Sequence, residues 1–510
     1  MRDNIFISAM LLVVLVLAAC ANPPATTRPT SLSVPTNTIS STAQSPTKTP
    51  APPPTDLPNS SPTAIPLLAS PTHEASSISG TQYRIDAILN YAQHHLSVDQ
   101  QINYTNHHDV PLNDLLLIVE PSRYPETFTL NEITWQDGTP VEDISRELGL
   151  IRIPLDDPLA PGESVRLLIS YTLAIPSPSP SYYGKPVPFG YSSRQTNLVD
   201  WYPFIPPYQP DHGWLAHRPG AFGEHLVYEA ADFEVNIKIS DTNPDLVIAA
   251  SAPGSLVDDW WHYQLRDARN FSWSVSDQYV LSTTTVDSVL VMSYYFPLNA
   301  QSGEAVLRTT AESLALYNSL FGAYPRQTLS VVEADFLDGM EYDGLFFLSK
   351  GFYNLYSGEP GDYLTAIAAH ETAHQWWYRA VGNDQALEPW LDEALSTYSE
   401  RLFYEMAQPE GLDWWWTYRI NYYEPQGWID GNIYNPLGYR AYRDAVYLNG
   451  AKFIEDLRIL IGDEAFFNFL GDYAQEYSEK IVSADDFLAF LSIYSNENLQ
   501  PLLDQYFEYR

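Results

Sequence analysis

His370-Glu371-Thr372-Ala373-His374, followed by Glu393, is the stretch on which the reading of this chain turns. An α-helix advances ~100° per residue, so two histidines four apart stand one above the other on a single face and can chelate one ion. Glu371 lies beside them, placed to act as a base. Eighteen residues separate His374 from Glu393, which sits in Trp390-Leu391-Asp392-Glu393-Ala394. A second helix is predicted to begin there, just after Pro389. Two imidazoles and one carboxylate leave the fourth tetrahedral position open to water, the arrangement of a catalytic rather than a structural zinc. The expected donors to one Zn2+ are therefore His370, His374 and Glu393, with Glu371 as the catalytic base.

Working outward, Asp362 is the predicted N-cap of the helix carrying the histidines, which is expected to run to about Arg379. A helix over residues 305–321 is closed by Gly322, a short strand follows over 329–332, and helical periodicity returns over 465–477 and 484–495. Before about residue 298 the period is two: Tyr83, Ile85, Ala87, Leu89 and Tyr91 alternate with other residues, as do Val165, Leu167, Ile169 and Tyr171, and Phe233, Val235, Ile237 and Ile239. Asp137-Gly138 and Pro161-Gly162 mark turns between such runs. The expected fold class is multidomain α+β: a β-saddle or sandwich over residues 81–298 and a mostly helical domain over 299–510.

The first twenty residues stand apart. Arg2 precedes the apolar stretch 5–17, and Ala18-Ala19-Cys20 follows, so residues 1–20 resemble a bacterial lipoprotein signal peptide cleaved ahead of a lipidated Cys20. The stretch is shorter than the ~20 residues a spanning helix needs. Cys20 is the only cysteine, so no intramolecular disulfide is possible. Residues 21–80 are rich in Pro, Thr and Ser, lack apolar periodicity, and are expected to form a disordered tether spanning on the order of 40 Å as a coil. Residues 1–80 balance three basic side chains against three acidic ones, so the net charge of −37 belongs to the remainder. That excess argues against nucleic acid and other phosphate-rich partners. The expected location is the bacterial membrane or cell surface, anchored through Cys20, with the body outside the cytoplasm.

The motifs together resemble the M1 family of zinc aminopeptidases, within the gluzincins. The resemblance rests on HETAH with Glu393, on Gly339-Met340-Glu341-Tyr342, which is similar to the family's exopeptidase motif, and on Tyr447-Leu448-Asn449-Gly450-Ala451, which is similar to its tyrosine segment. It implies a saddle-shaped β-domain resting on a thermolysin-like catalytic domain, and peptide substrates with a free N-terminus. It further implies that Glu341 pairs with the substrate's α-ammonium, that Tyr447 donates its hydroxyl to the oxyanion, and that Gly339 and Met340 offer backbone groups to the substrate. The chain resembles a short form in which the longer members' C-terminal helical domain does not follow. Alternatives on the same fold are a zinc endopeptidase, a hydrolase of non-peptide substrates, or a binding protein without catalysis.

Some residues depart from the family pattern. Asp338 and Asp343 flank the exopeptidase motif and add negative charge, which would strengthen cation binding, favour basic first residues or disturb the loop. Asn449 replaces a lysine. Gln195, ahead of Asp200-Trp201-Tyr202-Pro203, is a possible but unassigned counterpart of a glutamine that shares the amine contact. Trp414-Trp415-Trp416 reads as packing before cleft lining, and the pairs His94-His95 and His107-His108 lack ligand-like partners.

Overall fold

The computed structural model describes residues 80–177 and 188–510. These residues fall within one compact unit, Leu67–Arg510. The expected leader, Cys20 and the tether up to residue 79 lie outside the described residues.

The N-terminal half is built on a seven-stranded sheet in which Thr81–Asn90 pairs in parallel with Ala231–Ile239 and antiparallel with His95–Thr105. The alternation seen in the sequence is the cause: Tyr83, Ile85, Ala87 and Leu89 all point into the core, and the residues between them face outward. Leu167, Ile169 and Tyr171 do the same on Ser164–Ala174, and Phe233, Val235 and Ile237 on Ala231–Ile239. Smaller sheets of four, three and two strands complete this half.

A five-stranded sheet joins the two halves, in the order Val280–Val286, Val289–Tyr295, Thr328–Ala334, Leu345–Ser349, Gly339–Tyr342. Its middle strands are buried on both faces, and successive side chains serve different cores. Val291, Leu329, Val331, Phe346 and Leu348 pack with the helices. Met292, Tyr294, Val332, Ala334, Leu345 and Phe347 pack with the N-terminal β-half. The first two strands precede residue 298, yet Val289–Tyr295 pairs in parallel with Thr328–Ala334. The change of sheet therefore falls ahead of the expected division at 298, because five paired residues hold that strand to the second half.

The helices cover one face of this sheet. Ala300–Phe321 ends at Gly322, whose φ of +102° no β-carbon tolerates well. Tyr363–Ala373 and Trp390–Met406 are packed side by side behind it. The helix with the histidines is shorter than its sequence pattern, ending at His374 rather than near Arg379. Tyr378 adopts φ +138°, and its hydroxyl is held by Asn270 Nδ2 at 2.5 Å. Tertiary contacts thus override a local run, Trp376-Trp377-Tyr378, that would otherwise continue the helix. Among the described residues, no helix is long and apolar enough to cross a membrane.

Candidate active site

The Tyr363–Ala373 helix is started by Asp362, whose side chain accepts from Leu364 N at 2.8 Å and from both the amide and the hydroxyl of Ser357. It is buried almost all round, so its orientation is set by packing on every side rather than by one apolar stripe. His370 and His374 leave its last turn toward Glu393 in the first turn of Trp390–Met406. Their Nε2 atoms are 3.1 Å apart, and Glu393 Oε2 lies 3.2 Å from one and 3.6 Å from the other.

The hydrogen bonds behind these rings settle which atoms face inward. His370 Nδ1 meets Glu400 Oε1 at 3.0 Å, and His374 Nδ1 meets the Trp377 carbonyl at 2.9 Å. Both partners can only accept, so both Nδ1 atoms carry the proton and both Nε2 lone pairs converge. Two Nε2 atoms and a carboxylate oxygen facing one another at such distances form a site that can hold one cation. The set suits one zinc ion, three protein donors with room for a fourth. The site's own electrostatics also favour positive charge. Burial opposes protonation of His370, but hydrogen bonds with Glu393 and Glu400 prevail and push it up to about 9. Burial works to raise the Glu393 carboxyl, yet the two imidazoles overrule it and hold it far below the usual range.

Glu371 is 4 % exposed, and its Oε2 has no hydrogen-bond partner among the described residues. Burial is the main reason its carboxyl is pushed well up. Its other oxygen lies against Gly339: a β-carbon there would sit 2.0 Å from Glu371 Oε1, so only glycine allows this approach. Gly339–Tyr342 is the edge strand of the five-stranded sheet, which brings Met340 and Glu341 beside the two helices. Glu341 accepts from Gln385 Nε2 at 3.0 Å, and the same nitrogen donates to Asp392 Oδ2 at 2.9 Å. Glu341, His374 and Asp392 offer atoms within 4.8 Å of one another, so Glu341 flanks the zinc donors. Burial pushes Glu341 up to about 7, with Glu224 and Glu393 adding to the rise and His374 opposing it.

Tyr447 lies in a π-helical turn, Asp444–Asn449, just before the helix Gly450–Ile461. Its hydroxyl donates to Glu393 Oε1 at 2.5 Å, and its ring stacks on His370 at 6.1 Å. Gly450 lets this segment close in, since a β-carbon there would meet Ala394 Cβ at 2.6 Å, next to Glu393. All eight site residues expected from the sequence are thus gathered around one point or on the strand that borders it.

The comparisons with known proteins decide the identity of the second half. Residues 306–506 match the family model described as "Peptidase family M1 domain". Residues 306–506 are a peptidase family M1 domain. The M1 domain is accompanied by likeness over most of the described fold. A crystal structure of an M1 zinc metallopeptidase mutant from Deinococcus radiodurans superposes with TM-score 0.61 at 19 % identity, covering 85 % of this chain and 96 % of that one. Another structure of the mutant, bound to a Tyr-ser-ala substrate, gives 0.58 at 18 % identity, covering 84 % and 94 %. Among curated relatives, endoplasmic reticulum aminopeptidase 1 of Mus musculus is 24 % identical over 279 residues, 50 % of this chain and 30 % of its own length. Aminopeptidase M1-B of Oryza sativa subsp. japonica is 26 % identical over 235 residues, 43 % and 27 %. The chain thus spans under a third of the length of these curated relatives.

Several residues of the M1 site escaped the sequence reading. Glu400 orients His370 and is itself held by Trp415 Nε1 at 2.8 Å and by Arg419 at 2.9 and 2.7 Å. Its signal was present: seven residues after Glu393, two helical turns, it falls on the same face. Trp415, fully buried, has its role in this contact and in the core. Asp392, Gln385 and Glu224 had no local signal. Asp343, one of the two flanking acids, does not reach the amine-recognition face; it is fully buried and bound by Arg326 at 2.9 and 2.8 Å and by the Arg269 amide at 3.0 Å. Asp338 has φ +109° and accepts from Tyr439 at 3.3 Å. Asn449 donates to the Gly427 carbonyl at 2.9 Å. Gln195 is spent on Tyr279, on the Glu333 carbonyl and on the Asp335 amide.

Proposed function

We propose that this chain is a zinc-dependent aminopeptidase that removes N-terminal residues from peptides outside the cell, held to the membrane by lipid on Cys20. The observation that carries the catalytic part is the seating of Glu341 beside His374, on the strand whose Gly339 touches Glu371. A carboxylate there can hold an α-ammonium one residue away from the hydrolytic centre, which makes the enzyme count from a free end. The named relatives are aminopeptidases, and this supports the reading.

When bound by His370, His374 and Glu393, zinc supplies Lewis acidity, lowering the pKa of a water toward ~7 and polarising the scissile carbonyl. The other tasks fall to side chains. Glu371 Oε2, buried and unpartnered, takes the proton of the attacking water and returns it to the departing amine. Tyr447 turns its hydroxyl from Glu393 to the developing oxyanion, a contact stronger in the transition state than in the ground state. Glu341 fixes the ammonium, and Gln385, bonded to both Glu341 and Asp392, keeps that carboxylate aimed.

The test is cleavage of free-amine peptides beside their N-acetylated twins by the zinc-loaded full chain, with Glu371→Gln as control. Chelator-sensitive release of single first residues, abolished by acetylation and in the variant, is the expected result. Equal internal cleavage of both sets would remove the role of Glu341 and point to an endopeptidase. For the anchor, fatty-acid labelling of the expressed chain should vanish in Cys20→Ser; labelling that persists would refute it.

A further inference from the structure

A pocket of about 780 Å³, a figure that counts the open solvent space at its mouth, adjoins Glu341. Met340, Glu341 and Gln385 line it from the M1 side, and Tyr124, Phe189 and Leu226 contribute apolar wall from the N-terminal half. A peptide whose amine is held by Glu341 must place its first side chain here, because the carboxylate that fixes the amine is itself part of the wall. The walls suit methylene groups. Four carboxylates line the cavity, Glu120, Asp200, Glu224 and Glu341, with His225 beside Glu120.

Glu120 is the informative member. It is 9 % exposed, at the start of the short turn Glu120–Arg123. Arg123 Nε approaches its Oε2 at 2.7 Å, and His225 Nε2 approaches the same oxygen at 3.3 Å. Both contacts fall on one oxygen, which fixes the carboxylate and leaves Oε1 engaged by neither. Gly149 leaves room for Arg123, since a β-carbon there would sit 2.3 Å from the guanidinium carbon. A fixed, nearly buried oxygen in an apolar-walled cavity favours a cationic donor and disfavours an apolar group that would bury it without a partner.

Under the aminopeptidase reading the side chain of the peptide's first residue lies in this cavity, and we propose that Glu120 makes it select a long side chain with a cationic end, arginine or lysine. The proposal rests on the aminopeptidase reading and adds a specificity-determining residue to it. Asp343, which the sequence offered for such a preference, is excluded by its pairing with Arg326; the charge comes instead from the N-terminal half.

The test compares peptides X-Ala-Ala with X as arginine, citrulline, lysine or leucine, using the zinc-loaded full chain. Citrulline keeps arginine's length and replaces its guanidinium by a neutral urea. Arginine should exceed citrulline by at least about tenfold in kcat/KM. In Glu120→Gln the ratio should fall to about twofold, and the leucine peptide should gain relative to the arginine peptide. Dissociation constants measured by calorimetry in Glu371→Gln, which does not turn over, should follow the same order. Equal cleavage of the arginine and citrulline peptides by the wild type overturns the proposal whatever the variant does, and so does a ratio unchanged in Glu120→Gln. Failure to cleave any free-amine peptide would instead overturn the aminopeptidase reading.

Discussion

The metal side of the cleft and its amine side are built differently. The zinc donors come from two adjacent helices, and each has an outer partner: Glu400 behind His370, the Trp377 carbonyl behind His374, and the Tyr447 hydroxyl on Glu393. The amine side is assembled from an edge strand, from Gln385 ahead of the second helix, and from segments around Glu120 and Glu224. Under the proposed function, chemistry would rest mainly on two helices adjacent in the chain, and selection of substrate on segments gathered from farther apart. Changes on the metal side should therefore act on turnover, and changes on the amine side on the choice and binding of peptide.

The largest effect should come from Glu371→Gln. Loss of the proton carrier should lower kcat by about 10³-fold or more, with zinc content by elemental analysis unchanged. Should zinc be lost as well, Glu371 would belong to the holding of the metal, and the division of roles would fail. Tyr447→Phe should follow, with kcat down about 10²- to 10³-fold and KM nearly constant, the pattern of a contact made in the transition state. Glu400→Gln sharpens the comparison from behind the site: zinc affinity should weaken by about 10- to 100-fold in a competition titration, without change in peptide preference. A variant with altered preference and normal affinity would break the proposed division.

The smallest effect concerns the joint between the halves. Burial tends to raise Asp335, but Arg194, Lys350 and Ser192 hold it down at about 2. A carboxyl depressed in the folded state stabilises the protein above its unfolded pKa, and this support is lost as pH falls from about 4 to 2. Asp335→Asn should cost on the order of 1 kcal/mol near neutrality, after allowance for its contact with water, and the gap to wild type should close at acid pH in thermal melts. A gap that stays constant with pH would show that packing, not charge, is at work there.

How much of this was legible in the sequence follows the same line. His370, Glu371, His374 and Glu393 were readable because helical spacing alone brings them together. The β-half was readable because alternation at Tyr83, Ile85, Ala87 and Leu89 matches its buried face. Glu400 was readable in principle, two turns beyond Glu393. Asp343 invited the wrong inference, because its partners Arg326 and the Arg269 amide lie in other segments, and nothing nearby in the chain announces them. Glu120 and Glu224 had no local signal for the same reason. The helix end at His374 was hidden by an apolar run whose course is decided by Asn270 holding Tyr378.

The doubly buried sheet has a consequence for anyone wishing to cut or recombine this chain. Production of residues 299–510 alone would remove Val280–Val286 and Val289–Tyr295, turn Thr328–Ala334 into a raw edge, and strip Val332, Ala334, Leu345 and Phe347 of their cover. An exposed hydrophobic edge of that kind is a template for aggregation. A graft of another N-terminal half would need its seam ahead of Val280 and would have to match six buried side chains on the sheet behind it, Met292 and Tyr294 included. On the proposed reading, selectivity and catalysis, although separately encoded, would be inherited together.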